Sequence, residues 1–159
     1  MSQLSGSLGL WIIALLLTAT LVGGCTPEPS TPEARAVKAR QANFKKLGGW
    51  MKQIDEEIKS GKPNAKDVQD QAQKIVALSA DIPKWFPKGT GPEAGVNTAA
   101  KPGIWEDPER FAKLHREFSA EADKLVTTAS GDELVGLESQ YFSTGVGCAN
   151  CHKAFRVKK

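Results

Sequence analysis

The feature that most constrains this chain is the run Cys148-Ala149-Asn150-Cys151-His152 near its C-terminus. Two cysteines three residues apart on a helix share one face, so one porphyrin can be attached through its two vinyl groups to both thiols. The histidine that follows can then place an imidazole nitrogen on the iron. The run therefore predicts one covalent haem c, with Cys148 and Cys151 as attachment points and His152 as the iron ligand.

The same cysteine spacing also occurs in other kinds of site. A C-x-x-C pair is found in zinc sites and in thiol redox motifs, and it could form a structural disulfide beside an incidental histidine. The sequence contains only three cysteines, so it offers no second pair of the kind that many zinc sites use. A disulfide is disfavoured because this spacing on a helix fits its geometry poorly. Haem attachment is the favoured interpretation.

The N-terminus has the pattern of an export signal. Residues 1–24 contain no charged side chain, and the run from Leu8 to Val22 is apolar but short for a membrane-spanning helix. The first three residues lack the Lys or Arg that usually opens such a signal. The segment ends in Val22-Gly23-Gly24-Cys25, which is similar to the lipobox of bacterial lipoproteins. The similarity implies that residues 1–24 are removed and that Cys25 carries a lipid.

Lipid and haem together account for all three cysteines. An odd cysteine in an exported protein needs a partner or a use, and lipid on Cys25 with haem on the other two leaves none over. Haem attachment of this kind also requires an oxidising compartment outside the cytoplasm. The sequence thus predicts a lipoprotein on the periplasmic side of a bacterial membrane. Thr26, where Asp would indicate retention in the inner membrane, favours the outer membrane.

Behind a proline-rich tether over 25–31, residues 32–159 are predicted to form a single all-α domain. Lys and Arg alternate with Asp and Glu, so the net charge of +3 forms no nucleic-acid-binding patch. Apolar side chains recur at steps of three and four in four segments, which predicts an antiparallel up-down-up-down four-helix bundle with its cofactor among the helices. The predicted helices run from about Pro32 to Ser60, from Asn64 to Pro83, from Asp107 to Gly131, and from about Asp132 through the haem motif.

Local signals refine this prediction. The expected N-terminal caps are Ser30 or Thr31, Asn64 and Asp107. The long connection over 83–106 is expected to be fastened to the bundle by Trp85, Phe86 and Trp105. Gly145 and Gly147 weaken the last helix, and a flat macrocycle lying against the backbone would explain why small residues stand there.

With these features the chain resembles the cytochrome c′ family, whose members are four-helix bundles with a haem at the C-terminal end. The resemblance covers nearly all of the chain behind the tether. Its most specific part is the haem motif, followed by Phe155-Arg156. The other matching stretches are Arg40-Gln41-Ala42-Asn43-Phe44-Lys45, Trp85-Phe86-Pro87-Lys88-Gly89-Thr90 and Ile104-Trp105.

The resemblance also implies roles for two arginines. Arg40 would meet a haem propionate, forming a charge-assisted pair. Arg156, four residues after the ligand histidine, would lie near the proximal pocket, where a fixed positive charge limits the imidazolate character of the ligand. Either arginine could instead belong to a solvated helix face, although Arg40 interrupts an otherwise apolar stripe.

By the same resemblance, Phe44 faces the distal side of the iron. In relatives with methionine at this position the thioether can bind iron and produce a low-spin electron carrier, whereas phenylalanine cannot coordinate. We therefore expect five-coordinate, high-spin iron that binds diatomic gases, nitric oxide and carbon monoxide, and that can relay electrons to redox partner proteins. The alternative is a membrane-tethered periplasmic electron-transfer cytochrome with six-coordinate, low-spin haem.

Three further expectations concern other residues and properties. A peroxidase-like enzyme is not expected, because it would need a distal acid-base residue and His115 is the only candidate. That histidine, next to core residue Leu114, is expected to be half-exposed, and Met51 is expected to fill the core. The sequence leaves open whether the chain forms a homodimer.

Overall fold

A computed structural model describes residues 31–131 and 134–158 of the 159-residue chain. The predicted signal, Cys25, Ser30 and Asp132 therefore lie outside the described residues. None of the described helices is long and apolar enough to cross a membrane. Four long helices form a bundle, and a one-turn helix stands before the third of them: α1 (Pro32–Lys59), α2 (Ala65–Ser79), α3 (Gly103–Glu106), α4 (Pro108–Ala129) and α5 (Leu137–Phe155). The predicted four-helix bundle is confirmed.

Three helices begin at the predicted caps. The side chains of Thr31, Asn64 and Asp107 each accept a hydrogen bond from a backbone N–H two or three residues further along the chain, at 3.0–3.3 Å. These bonds satisfy N–H groups that have no partner inside the helix. A proline follows Thr31 and Asp107, where the lack of an N–H costs nothing.

The second helix ends earlier than predicted. It stops at Ser79, and a separate 3₁₀ turn over Ile82–Trp85 follows. The residue before a proline is disfavoured in the α conformation, so Pro83 prevents the helix from continuing through Ile82. Ile82 is nevertheless buried, as its place in the apolar pattern predicted.

The predicted start of the fourth long helix was wrong. Helix α5 begins at Leu137 rather than near Asp132. Gly136 before it has a φ of 80°, and Leu134 also has a left-handed φ of 49°. Left-handed residues cannot continue a right-handed helix, so the segment before Leu137 is a turn.

The core is formed by the predicted apolar stripes. Helix α1 packs against α2, α2 against α4, and α4 against α5, while contact between α1 and α5 is the least extensive of these four pairings. The interior is therefore least closed between α1 and α5. The buried side chains on the three helices that carry most of the core are Val37, Arg40, Leu47 and Ile54 on α1, Val68, Ala72, Ile75 and Ser79 on α2, and Phe111, Phe118, Ala122, Leu125 and Ala129 on α4.

The connection between α2 and α4 is fastened at both ends, as predicted. Near its start, the ring of Trp85 packs against Phe44 of α1 and the ring of Phe86 against Phe111 of α4, with 5.2 and 5.3 Å between centroids. The indole N–H of Trp105 joins the two ends of the connection by donating to the backbone oxygens of Phe86 at 3.0 Å and Pro87 at 3.2 Å. Near its end, the N–H of Lys101 donates to the oxygen of Phe155 at 2.9 Å, and the N–H of Val157 to that of Ala99 at 2.8 Å. The connection is thereby joined to the segment that follows the haem motif.

The two glycines before the haem motif have different roles. A Cβ atom on Gly147 would lie 3.2 Å from the Cα atom of Phe118, so glycine allows α5 to approach α4 closely. The prediction that Gly147 is small because a macrocycle lies against it was therefore wrong, since the close approach of α4 explains the glycine. A Cβ atom on Gly145 would meet no protein atom within 4 Å, and Gly145 lines the cavity described below.

This difference predicts the outcome of an alanine substitution. Gly49→Ala, on the exposed side of α1 where a Cβ meets nothing within 4 Å, should stabilise the fold by about 0.5–1 kcal/mol. For Gly147→Ala the change in the free energy of unfolding should be less favourable than for Gly49→Ala by at least about 1 kcal/mol, because the added methyl group presses on the backbone of α4. Urea unfolding followed by far-ultraviolet circular dichroism measures both, and equal stabilisation would contradict the packing role.

Candidate haem-binding site

A cavity of about 790 Å³ lies among α1, α4, α5 and the connection that precedes α3. This volume falls within the range of about 300–1,000 Å³ that is typical of cofactor sites. Cys148, Cys151 and His152 line it from α5, and the ring of Phe44 on α1 lies 6.3 Å from the His152 ring between centroids. Most other lining side chains are apolar: Leu47, Met51, Ile75, Ile82, Phe86, Ile104, Phe111, Leu114, Phe118 and Phe155. The cavity suits a flat apolar macrocycle attached to α5.

The two thiols show which kind of cysteine site this is. Both are half-buried and free of a disulfide. Burial, followed by the neighbouring Cys151, raises the pKa of the Cys148 thiol to about 11, and burial also raises the pKa of Cys151. Thiols of redox motifs have lowered pKa values instead. Haem attachment therefore fits the pair better than thiol redox chemistry does.

The donors around the cysteines do not form a zinc site. Within the ranges 31–131 and 134–158, no three side chains of His, Cys, Asp or Glu come together as ligands of one metal ion. A structural zinc site needs four such ligands and a catalytic one needs three. Haem attachment therefore remains the favoured interpretation of Cys148, Cys151 and His152.

His152 lies at the mouth of the cavity, in contact with solvent on one side and with Phe44 on the other. Burial of the ring and, secondly, the positive charge of Arg156 lower the pKa of His152. A lower pKa favours the neutral imidazole, which is the form that can bind iron. Arg156 is exposed and lines the same cavity, so the structure brings it close to the predicted ligand.

The wall opposite His152 is aromatic. The ring of Phe44 packs edge-on against Trp85, with 5.2 Å between centroids and 88° between planes, and lies 6.2 Å from the ring of Phe86. None of these three side chains offers a nitrogen or oxygen lone pair to a metal. The wall can exclude water but cannot coordinate iron.

Arg40 is buried, with only 3% of its surface exposed. One terminal nitrogen donates to the Thr90 hydroxyl at 2.8 Å, and the other donates to the Thr90 backbone oxygen at 2.6 Å and the Thr98 hydroxyl at 2.7 Å. The guanidinium also lies over the Phe86 ring, 4.8 Å from its centroid. This geometry excludes the solvated helix face. Thr90 and Thr98 cannot be recognised as these partners from the sequence, because nothing in a loop threonine indicates which distant side chain it meets.

The charge of Arg40 has no counterion in contact among the described residues. Burial lowers its pKa, and the more distant Glu93 partly offsets this effect, but no described carboxylate lies within 4.0 Å of the guanidinium. An arginine side chain stays protonated in proteins even so. A buried cation that meets only neutral partners is costly, so an anion entering the adjacent cavity would be stabilised there.

His115 and Met51 also line the cavity. His115 is half-buried, as predicted, and Met51 is partly buried and packs against the core. The Nε2 atom of His115 lies 2.9 Å from the backbone oxygen of Ser79, which can only accept, so Nε2 carries the proton. This bond holds the histidine against α2. The hydroxyl of Ser119 lies 3.4 Å from the same nitrogen.

Comparison with known proteins identifies the family. The profile described as cytochrome c′ matches residues 35–156 of the chain. The chain belongs to the cytochrome c′ family. Members of this family bind one covalent c-type haem with iron, and the two cysteines and histidine of this chain fit that attachment. The family comprises electron-transfer and gas-binding haem proteins.

Individual relatives match over most of their length. The chain is 32% identical to cytochrome c-556 of Agrobacterium tumefaciens (strain B2A) over 127 residues, which are 79% of this chain and all of that protein. It is 27% identical to cytochrome c′ of Allochromatium vinosum, covering 90% of each chain. Its fold is similar to a nitric oxide complex of a cytochrome c′ variant from Alcaligenes xylosoxidans, with a TM-score of 0.71, 28% identity, and coverage of 83% of this chain and 100% of that one.

The hydrogen bonds of Arg40 predict a measurable effect on stability. Arg40→Lys keeps the charge but loses the planar fork that reaches both threonines. Since hydrogen bonds to charged groups contribute about 1.5–3 kcal/mol, the free energy of unfolding should fall by an amount in that range. Arg110→Lys, at an exposed position of α4, is the control and should change stability by less than about 0.5 kcal/mol. Equal effects in urea unfolding would show that the buried bonds contribute little.

Proposed function

We propose that this protein is a c-type cytochrome whose haem is attached to Cys148 and Cys151, with His152 as the only protein ligand of a five-coordinate, high-spin iron. The observation that carries the proposal is the position of Phe44, which lines the same cavity as His152 and lies edge-on to its ring with 6.3 Å between centroids. When bound, the haem supplies an iron at which small diatomic gases, nitric oxide and carbon monoxide, are captured. The chain supplies the ligand, the attachment points and a wall that leaves the sixth position without a protein ligand.

Phe44 keeps that position free in two ways. Its ring has no lone pair to offer to iron. It also excludes water, because the neighbouring Phe86 ring adds apolar surface to the cavity where a water molecule would need two to four polar partners. A gas can approach only if the Phe44 ring moves aside. The relative from Alcaligenes xylosoxidans, described as a nitric oxide complex, supports gas capture as the activity.

The cationic side chains around the cavity support the proposed orientation of the cofactor. Arg40, buried and without a carboxylate in contact, is placed to bind a haem propionate while its other donors hold the connection. Arg156 lies close enough to affect the pKa of His152. A fixed positive charge beside the ligand would limit its imidazolate character and weaken its donation to iron.

Substitution of Phe44 tests the proposal. The wild-type absorption spectrum should be five-coordinate and high-spin in both oxidation states. Phe44→Met supplies a thioether and should move the iron toward low spin, whereas Phe44→Ala opens the pocket and should raise the affinity for carbon monoxide. Phe142→Met is the matched control, because Phe142 is 70% exposed and does not line the cavity. It should leave the spectrum unchanged.

Two results would defeat the proposal. A wild-type spectrum that is already six-coordinate and low-spin would indicate a second ligand, with His115 and Met51 as candidates, and electron transfer as the function. Colour that acid acetone extracts freely, without the mass increase of one haem, would exclude covalent attachment at Cys148 and Cys151.

We also propose that Cys25 carries a lipid that tethers the domain to the periplasmic side of a membrane, with the outer membrane favoured by Thr26. Members of the family are periplasmic, and the lipobox-like run before Cys25 adds the anchor. Cys25→Ser should be released from membranes by mild washing, since stable anchoring requires more than one acyl chain. Fractionation measures this, and identical soluble behaviour of wild type and variant would exclude the anchor.

A further inference from the structure

The charged side chains that line the cavity are all cations. They are Arg40, Lys45 and Arg156, and no Asp or Glu is among the described lining residues. Ionised carboxylates are the anions that such cations bind most strongly, through charge-assisted hydrogen bonds. A haem carries two propionate carboxylates, so the lining provides more than one cation for this pair of charges.

Two of the three cations already have defined surroundings. Arg40 lies inside, hydrogen-bonded to Thr90 and Thr98. Arg156 lies beside His152, and its backbone N–H donates to the His152 oxygen at 2.9 Å. Lys45 is the third cation, and sequence analysis assigned it no role of its own.

Lys45 stands at the rim of the cavity on α1. It follows Phe44 directly and shares a helix face with Gln41 and Gly48, which also line the cavity. The side chain of Gln41 donates to the backbone oxygen of Asn97 at 2.8 Å, so this edge of α1 is joined to the connection one turn before Lys45. No described carboxylate lies within 4.0 Å of the Lys45 ammonium group.

We propose that Lys45 binds the second haem propionate at the mouth of the cavity, an inference that rests on the haem attachment proposed above. A lysine suits this position because its flexible stem and three donors can follow a carboxylate that remains partly hydrated. The neighbouring Lys46 is also exposed and lies on the same helix, but it does not line the cavity. Of these two lysines, only Lys45 can therefore reach a propionate in the cavity, and Lys46 is the matched control.

The test uses the full-length, haem-loaded protein and three variants: Lys45→Gln, Lys45→Arg and Lys46→Gln. Resonance Raman spectroscopy follows the propionate bending band, and spectroelectrochemistry follows the midpoint potential. Lys45→Gln should shift the band and lower the potential, since removal of a cation near the iron favours the more positive ferric state. Lys45→Arg should restore both values toward wild type, and Lys46→Gln should leave both unchanged.

Other outcomes would overturn the inference. Equal changes in Lys45→Gln and Lys46→Gln would mean that only the net surface charge matters. A lower potential without a band shift in Lys45→Gln would mean that Lys45 acts at a distance and does not contact a propionate. The readouts do not depend on the number of axial ligands, so a six-coordinate iron would defeat the proposed gas-binding function without affecting this test. Absence of any haem band would instead defeat the attachment.

Discussion

The buried hydrogen bonds of Arg40 hold the connection between α2 and α4 against α1. They join α1 to Thr90 and Thr98, two residues of a connection that has little regular structure to hold it in place. The same guanidinium lies over the ring of Phe86, and the backbone oxygen of Phe86 accepts a bond from the Trp105 indole. Without Arg40 the segment from Phe86 to Trp105 would lose three hydrogen bonds to α1, and the part of the cavity wall that it forms would be held less firmly.

This arrangement links the fold to its cofactor. A cavity of about 790 Å³ lies next to the least extensive of the four helix pairings, between α1 and α5, and its lining is mostly apolar, with Arg40, Lys45 and Arg156 as its charged members. Such a space lowers the stability of a protein when it is empty, because its lining atoms lose contacts. A bound group that fills it stabilises the folded state over the unfolded one. On the proposed attachment, the haem would in that sense be part of the core, and its propionates would complement the charge of the arginine and lysine side chains that line the cavity.

The sequence predicted the features that depend on local chemistry. Helix caps and apolar stripes depend on neighbouring residues alone. The predicted caps at Thr31, Asn64 and Asp107 therefore agree with the residues at which the helices begin. The start of α5 could not, because Leu134 adopts a left-handed conformation that its residue type does not indicate. The partners of Arg40 were also unpredictable, since Thr90 lies fifty residues away along the chain. Likewise, Gly147 has a packing role that appears only once Phe118 on another helix is placed beside it.

On the proposed function, the aromatic wall would set how strongly a gas binds. Besides the His152 ring, Phe44 contacts the rings of Trp85 at 5.2 Å and Phe86 at 6.2 Å. Aromatic pairs of this kind contribute about 0.5–1.5 kcal/mol each, so moving the Phe44 ring aside would cost about 1–3 kcal/mol if both contacts were lost. That cost corresponds to a loss of affinity of about 5- to 150-fold relative to an open pocket. Because the ring must move for any entering molecule, this penalty applies equally to nitric oxide and carbon monoxide. On the proposed function, selectivity between them would come from the strength of their bonds to iron, because the rings of Phe44 and Phe86 offer no hydrogen-bond donor.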